Sequence, residues 1–197
     1  GETLDNAYFA LEQLIPRAIA YVAKDKTQKV CFVTGHNELD FSSVVSVLQE
    51  ENIEVYTIDL KTASIPEEMD AVYIMAPQED FLQAEILSLD SFLKEGKGAH
   101  IVFDARQKPL PMLEQYLQEF WGITVHMDMI HENETSRILD AGQKYMFMPD
   151  VASHVITENI REGNKSIFLT SARSLEFAET EDVTFAPLLL TSEKAVS

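Results

Sequence analysis

One cysteine, Cys31, stands in the whole chain, so no disulfide can close within it and no cysteine-based metal site can be built. A lone cysteine inside an apolar run reads as a small core residue, and it fixes nothing about redox compartment. Positive charge is scarce as well: 15 Lys and Arg stand against 33 Asp and Glu, a net charge of −18. Such a surface repels phosphate backbones and anionic headgroups, which disfavours nucleic acid, so none is expected as a partner, and the charge otherwise serves solubility. No apolar run approaches the ~20 residues that span a bilayer, and no signal-peptide pattern is present. The chain starts at Gly1 and ends in a polar stretch, Thr191 to Ser197. The expectation is a piece of a longer protein, so the missing span describes these residues only. Glycines are few, and a single one, Gly35, follows the first apolar strand. A phosphate cradle needs several, so no nucleotide cofactor is expected, and no other cofactor.

What is present is hydrophobic patterning suited to one sizeable core. Asn6 to Lys24 has apolar residues at helical spacing, with Pro16 predicting a kink. Val30 to Val33 is apolar at every position, the mark of a strand covered on both faces. Phe41, Val44, Val45 and Leu48 make a helix face, with Asp40 as N-cap and Asn52 closing the C-terminus. Ile53 to Ile58 alternates, as a half-exposed strand does. Ala71 to Ala76 and His100 to Asp104 again read as strands buried on both faces. Between them a helix begins near Asp80, carries Leu82, Ile86, Leu89 and Leu93 on one face, and stops at Gly96. Pro111 opens another, with Leu113, Tyr116, Leu117 and Phe120 inward and Gly122 at its end. Ile123 to Ile130 alternates once more.

Buried first, third and fourth strands with amphipathic second and fifth fit a parallel α/β sheet of flavodoxin-like order 2-1-3-4-5. After Ile130 the pattern changes: Lys144–Met148, Ser166–Thr170 and Val183–Leu190 read as strands, with turn signals at Gly163-Asn164 and Glu181-Asp182. No Gly-, Pro- or Ser-rich linker separates this part, so one domain is expected. It comprises an N-terminal helix (1–27), a five-stranded βα core (28–130) and a strand-rich C-terminal part (131–197) that pairs with the fifth strand or packs as a small lobe.

In a sheet of that order, ligands bind beyond the carboxyl ends of the first and third strands. Thr34, Gly35, His36 and Glu38 lie on one side of that crevice, Ala76 and Pro77 on the other, and Asp104 follows the adjacent strand. These seven are the candidate ligand-binding residues. A hydrolase or amidotransferase needs Ser or Cys on the tight turn after a strand, and Ala76-Pro77 stands there instead. No catalytic residue is therefore assigned. The bland alternative for His36 and Asp40 is capping of nearby backbone groups. His126, Asp128, His131 and Glu132 resemble a metal set by content alone; a solvated strand edge explains them, with Met127 and Met129 as core, and no metal site is expected. Arg173 has two readings, pairing with one of the many carboxylates or holding the carboxylate of a ligand.

Taken in order, these segments resemble a known family. Val30-Cys31-Phe32-Val33-Thr34-Gly35-His36-Asn37-Glu38 is similar to the V-x-F-x-T-G-H-G-E segment of the auxiliary components of ABC-type transport systems, among them the gliding-motility auxiliary component. Ile65-Pro66 to Asp70, Ala76-Pro77, Glu85 with Phe92-Leu93 and Gly96, Trp121-Gly122-Ile123 and Pro187 to Ser192 match further family segments in sequence. The family's glycine after the histidine is Asn37 here, and its double glycine is Gly96-Lys97-Gly98.

The resemblance implies a fold like the class I glutamine amidotransferases without their catalytic cysteine, with related domains in intraflagellar transport proteins. It also implies an extracytoplasmic domain held to the cell membrane by flanking helices, working with an ABC permease and ATPase. The expected function is non-enzymatic binding of a partner protein or a polysaccharide-like ligand. The alternative is a hydrolase of glycans or esters near His36, with Glu38 and Asp104 as its carboxylates. A spacer with no ligand is the third reading.

Overall fold

The computed structural model describes residues 27–163, 165–178 and 182–197. The helix expected over Asn6 to Lys24 lies outside them. The chain divides into two compact units. The first runs through Pro77 and includes Leu82–Val102; the second comprises Gln78–Phe81 and Phe103–Ser197.

In the first unit, β1 (Lys29–Thr34), β2 (Glu54–Asp59), β3 (Ala71–Met75) and β4 (Gly98–Val102) form a parallel sheet of order β2-β1-β3-β4. β1 is central, as its continuous apolar run requires: Phe32 and Val33 are wholly buried, and Val30 and Cys31 nearly so. Burial pushes the Cys31 thiol up to about 11, so it is a neutral packing group at ordinary pH. β3 buries Val72 and Ile74 on the same core. β2 is the half-exposed edge its alternation predicts.

Helix α1 (Ser42–Glu50) follows β1, and its more covered positions are Val44, Val45 and Leu48. The Asp40 carboxylate accepts the Ser42 N–H at 3.0 Å. At the other end Asn52 takes a left-handed φ of 60°, Asn52 N–H bonds Gln49 O, and Ile53 N–H bonds Leu48 O. That pair of bonds is a Schellman closure, and asparagine tolerates its geometry. Helix α2 (Gln83–Lys94) leads to Gly96 at φ 80°.

Three expectations for these elements are corrected. The fourth strand is not covered on both faces, because β4 is the last strand of its sheet; Gly98, Ala99 and His100 are exposed. Leu82 does not join the buried face of α2: it is the N-cap and 62 % exposed, while Glu85, Ile86, Leu89 and Phe92 are buried. The fifth strand does not extend the parallel sheet. β5 is only Ile123–Val125 and pairs antiparallel with β9 (Leu175–Phe177), because a partner from the C-terminal part satisfies its backbone instead.

The second unit is built on helix α3 (Pro111–Trp121), with proline in its first turn and Gly122 at φ 64° closing it. The Asp80 carboxylate accepts the Met112 N–H at 2.8 Å, and Glu114 accepts Leu110 N–H at 3.2 Å, so side chains satisfy the open first turn. Leu113, Tyr116 and Leu117 are buried, whereas Phe120 is 57 % exposed, against expectation. Short antiparallel pairs complete the unit: β6 (Met146–Phe147) with β8 (Leu169–Thr170), and β7 (Asp150–Val151) with β10 (Leu189–Leu190). A brief helix α4 (Glu158–Glu162) lies between β7 and β8. The strand-rich C-terminal part therefore pairs with the fifth strand through β9.

Candidate functional site

The loop after β1 turns at once. Gly35 has φ 104°, and Asn37 follows at 53°. A Cβ on Gly35 would lie 2.6 Å from Asp59 Oδ1, so the space glycine leaves is filled by the β2 carboxylate rather than open to a ligand. Gly35→Ala is expected to cost about 1–3 kcal/mol from backbone strain, besides displacing Asp59. Urea unfolding checks this, and an unchanged midpoint would contradict the geometry.

This turn drives His36 inward. Its side chain is fully buried, and both ring nitrogens face carboxylates: Nδ1 lies 3.3 Å from Glu38 Oε1, and Nε2 lies 3.2 Å from Glu85 Oε1. Glu38, also nearly buried, accepts the His36 backbone N–H at 3.1 and 3.2 Å. Glu85 accepts the Leu82 N–H at 2.6 Å, so the carboxylate that completes the first turn of α2 also holds the imidazole. Leu39 N–H reaches Met75 O at 3.3 Å and ties the loop to the end of β3.

Burial alone would lower the His36 pKa, but hydrogen bonds and charge from Glu38 and Glu85 outweigh it, and the value lies above its ordinary 6.5. Burial likewise raises Glu38, yet the His36 ring and two backbone N–H groups bring it below its ordinary 4.5. The arrangement is an imidazole ring between two carboxylates that favour its protonated form. Both ring nitrogens are directed at carboxylates inside the fold.

The other candidates are distributed differently. Thr34 is half-buried at the end of β1 in register with Asp59, and Pro77 is buried. Ala76 is 3 % exposed and has φ 48°, a left-handed conformation that alanine rarely takes. The tight turn after β3 on which a nucleophile would sit is thus present, carrying a methyl group. Asp104 falls in the second compact unit, beyond the end of β4. It accepts Arg106 N–H at 2.7 Å, and its own N–H donates to Gln107 Oε1 at 2.7 Å. Burial raises its carboxyl, but Arg106 and the charge of Arg173 hold it below the usual range.

Among the described residues no group of three or more His, Cys, Asp or Glu is arranged to hold a metal ion. His126 faces Glu176 at 3.3 Å, and Asp128 accepts the Ser174 N–H at 2.8 Å and the Ser174 hydroxyl. Met127 is 55 % exposed rather than core. Glu132, expected on a solvated edge, is wholly buried. Its carboxylate accepts the N–H groups of Asn133, Glu134 and Ser192 at 2.9, 2.8 and 3.0 Å and the Ser192 hydroxyl. Glu85 and Glu132 are the two polar centres that the sequence reading missed. For Glu85 a signal existed, a carboxylate on the apolar face of a helix. For Glu132 none was local, because its partner lies sixty residues on.

A model of the family described as "ABC-type uncharacterized transport system" matches residues 27–197. Among solved structures, the mmIFT52 N-terminal domain is similar with a TM-score of 0.62 at 16 % identity, over 85 % of this chain and 75 % of that one. At that identity the likeness concerns the fold. No curated protein matches.

Proposed function

This chain belongs to the ABC-type uncharacterized transport system family, and from that premise we propose that it is a non-enzymatic auxiliary domain of an ABC transport system. In this reading it is held at the extracytoplasmic face of the membrane and acts by binding a partner protein in one assembly with the permease and ATPase. The family match over 27–197 carries the transport part. No described helix is long and apolar enough to cross a membrane, so this reading assigns membrane attachment to segments beyond them.

The non-enzymatic part is supported by the His36 loop. A hydrolase there would need His36 as base, and both its nitrogens face buried carboxylates. It would need a nucleophile at the turn after β3, where Ala76 offers a methyl group. The loop's part in this reading is to build the first unit, leaving recognition to the surface.

The test is affinity purification of the tagged full-length protein from its own membranes. Stoichiometric recovery of the permease and ATPase encoded with it is expected. Intact membranes that yield the protein without either subunit would overturn the reading. So would turnover of a glycan or ester substrate that His36→Gln abolishes while leaving the fold intact.

A further inference from the structure

We propose that the second compact unit carries a binding site for an apolar ligand bearing one anionic group, such as a fatty carboxylate, with Arg173 as its charge partner. A cavity of about 490 Å³ lies within that unit, walled by apolar side chains that include Phe147, Leu169, Phe177, Pro187 and Leu189. That volume falls within the range of ordinary small-ligand sites. Among the described residues Arg173 is its one charged wall residue, in a protein whose net charge is −18. Around it Leu175, Phe177 and Leu190 remain 51, 41 and 43 % exposed, apolar surface that a hydrocarbon chain would cover.

Arg173 is 7 % exposed, and its needs are only partly met. Nη2 donates to Gln107 O at 2.8 Å, and Glu114 Oε1 forms an ion pair with Nη1 at 3.7 Å, too long for a hydrogen bond, while the charge of Arg173 also acts on Asp104. Among the described residues Nε and Nη1 have no hydrogen-bond acceptor, and neither does Nε2 of Gln107, itself 2 % exposed. The Gln107 amide orientation is set by its Oε1, which accepts the Asp104 N–H. The cluster therefore lacks acceptors, not donors. A buried donor left open is unfavourable, and a carboxylate can take two guanidinium N–H groups at once. A neutral apolar ligand would leave that deficit standing. A cationic one would add repulsion.

The experiment titrates the full chain with dodecanoate, dodecanol and dodecyltrimethylammonium by calorimetry below their micellar concentrations. Dodecanoate is expected to bind at least about tenfold tighter than dodecanol, the size of one charge-assisted hydrogen bond, and the ammonium is expected not to bind. Arg173→Gln should remove the preference, and Arg173→Lys should restore part of it. Folding of the variants need not be assumed, because the unmodified protein gives a second readout. The carboxyl resonance of bound ¹³C-labelled dodecanoate should titrate below its free value. Equal binding of dodecanoate and dodecanol, an unshifted carboxyl titration, or no binding of dodecanoate would each overturn the proposal.

Discussion

Replacing His36 with leucine is expected to cost about 3–5 kcal/mol, the usual penalty for removing one partner from a buried ion cluster. The ring is sealed from solvent and stands between Glu38 and Glu85. Without it two buried carboxylates lose their shared cation and face a low-dielectric interior. Each keeps a backbone donor, His36 N–H for Glu38 and Leu82 N–H for Glu85, which is why the loss is not larger. The double variant His36→Leu, Glu85→Leu should recover much of it, since an apolar contact replaces an unpaired charge. Urea unfolding at pH 6 measures both. A single-variant loss under about 1 kcal/mol, the scale of an exposed ion pair, would contradict the account.

The same cluster fixes the direction of the pH dependence. His36 is raised above 6.5, so its contribution is full below that value and is lost as pH rises through the folded pKa. Glu38 is lowered below 4.5, so its contribution is full above that value and is lost as pH falls through the folded pKa. Stability from this centre should therefore be flat between the two ordinary values, 4.5 and 6.5, and decline on both sides.

Glu132→Ala is the second large effect, expected at about 3 kcal/mol or more from several half-buried donors orphaned around a buried carboxylate, at ~1–3 kcal/mol each. The lost carboxylate leaves the N–H groups of Asn133, Glu134 and Ser192 and the Ser192 hydroxyl without their acceptor. Burial raises this carboxyl, but Ser192 and the backbone donors bring it below its ordinary 4.5, so its support also fails on acidification. Ser192→Ala removes the hydroxyl alone and should cost no more than about 1.5–3 kcal/mol, one charge-assisted bond. Amide exchange near Ser192 should accelerate in both variants, more in Glu132→Ala. Unchanged exchange there would show that the carboxylate does not hold this segment.

What could be read in the sequence was what depends on near neighbours. The uninterrupted Val30–Val33 run gave a central strand, and Phe41, Val44, Val45 and Leu48 gave a helix face with its Asn52 closure. Pro111 and Gly122 bounded α3. Periodicity could not say which backbone would satisfy Ile123–Val125, since the partner, Leu175–Phe177, follows fifty residues later. Nor could it show β4 to be an edge, because a strand's apolar content does not record whether a further strand joins. The surroundings of the candidate site were hidden for a related reason. His36 and Glu38 were visible as a pair, but nothing in the sequence tied Glu85, forty-nine residues on from His36, to them, and only the packed unit turns all three inward. Arg173 was legible as a charge seeking an acceptor, and the structure gives it only a partial one.

The central claim is that the His36 loop is an internal ion cluster and not a face that meets ligand. The titration of the His36 ring by NMR, with and without glycans or the partner subunits, tests it most directly. The account predicts a ring protonated at pH 6.5, titrating above that value and unmoved by either addition. A ring that titrates at or below ~6.5, the reference value, and shifts when a ligand is added would contradict it.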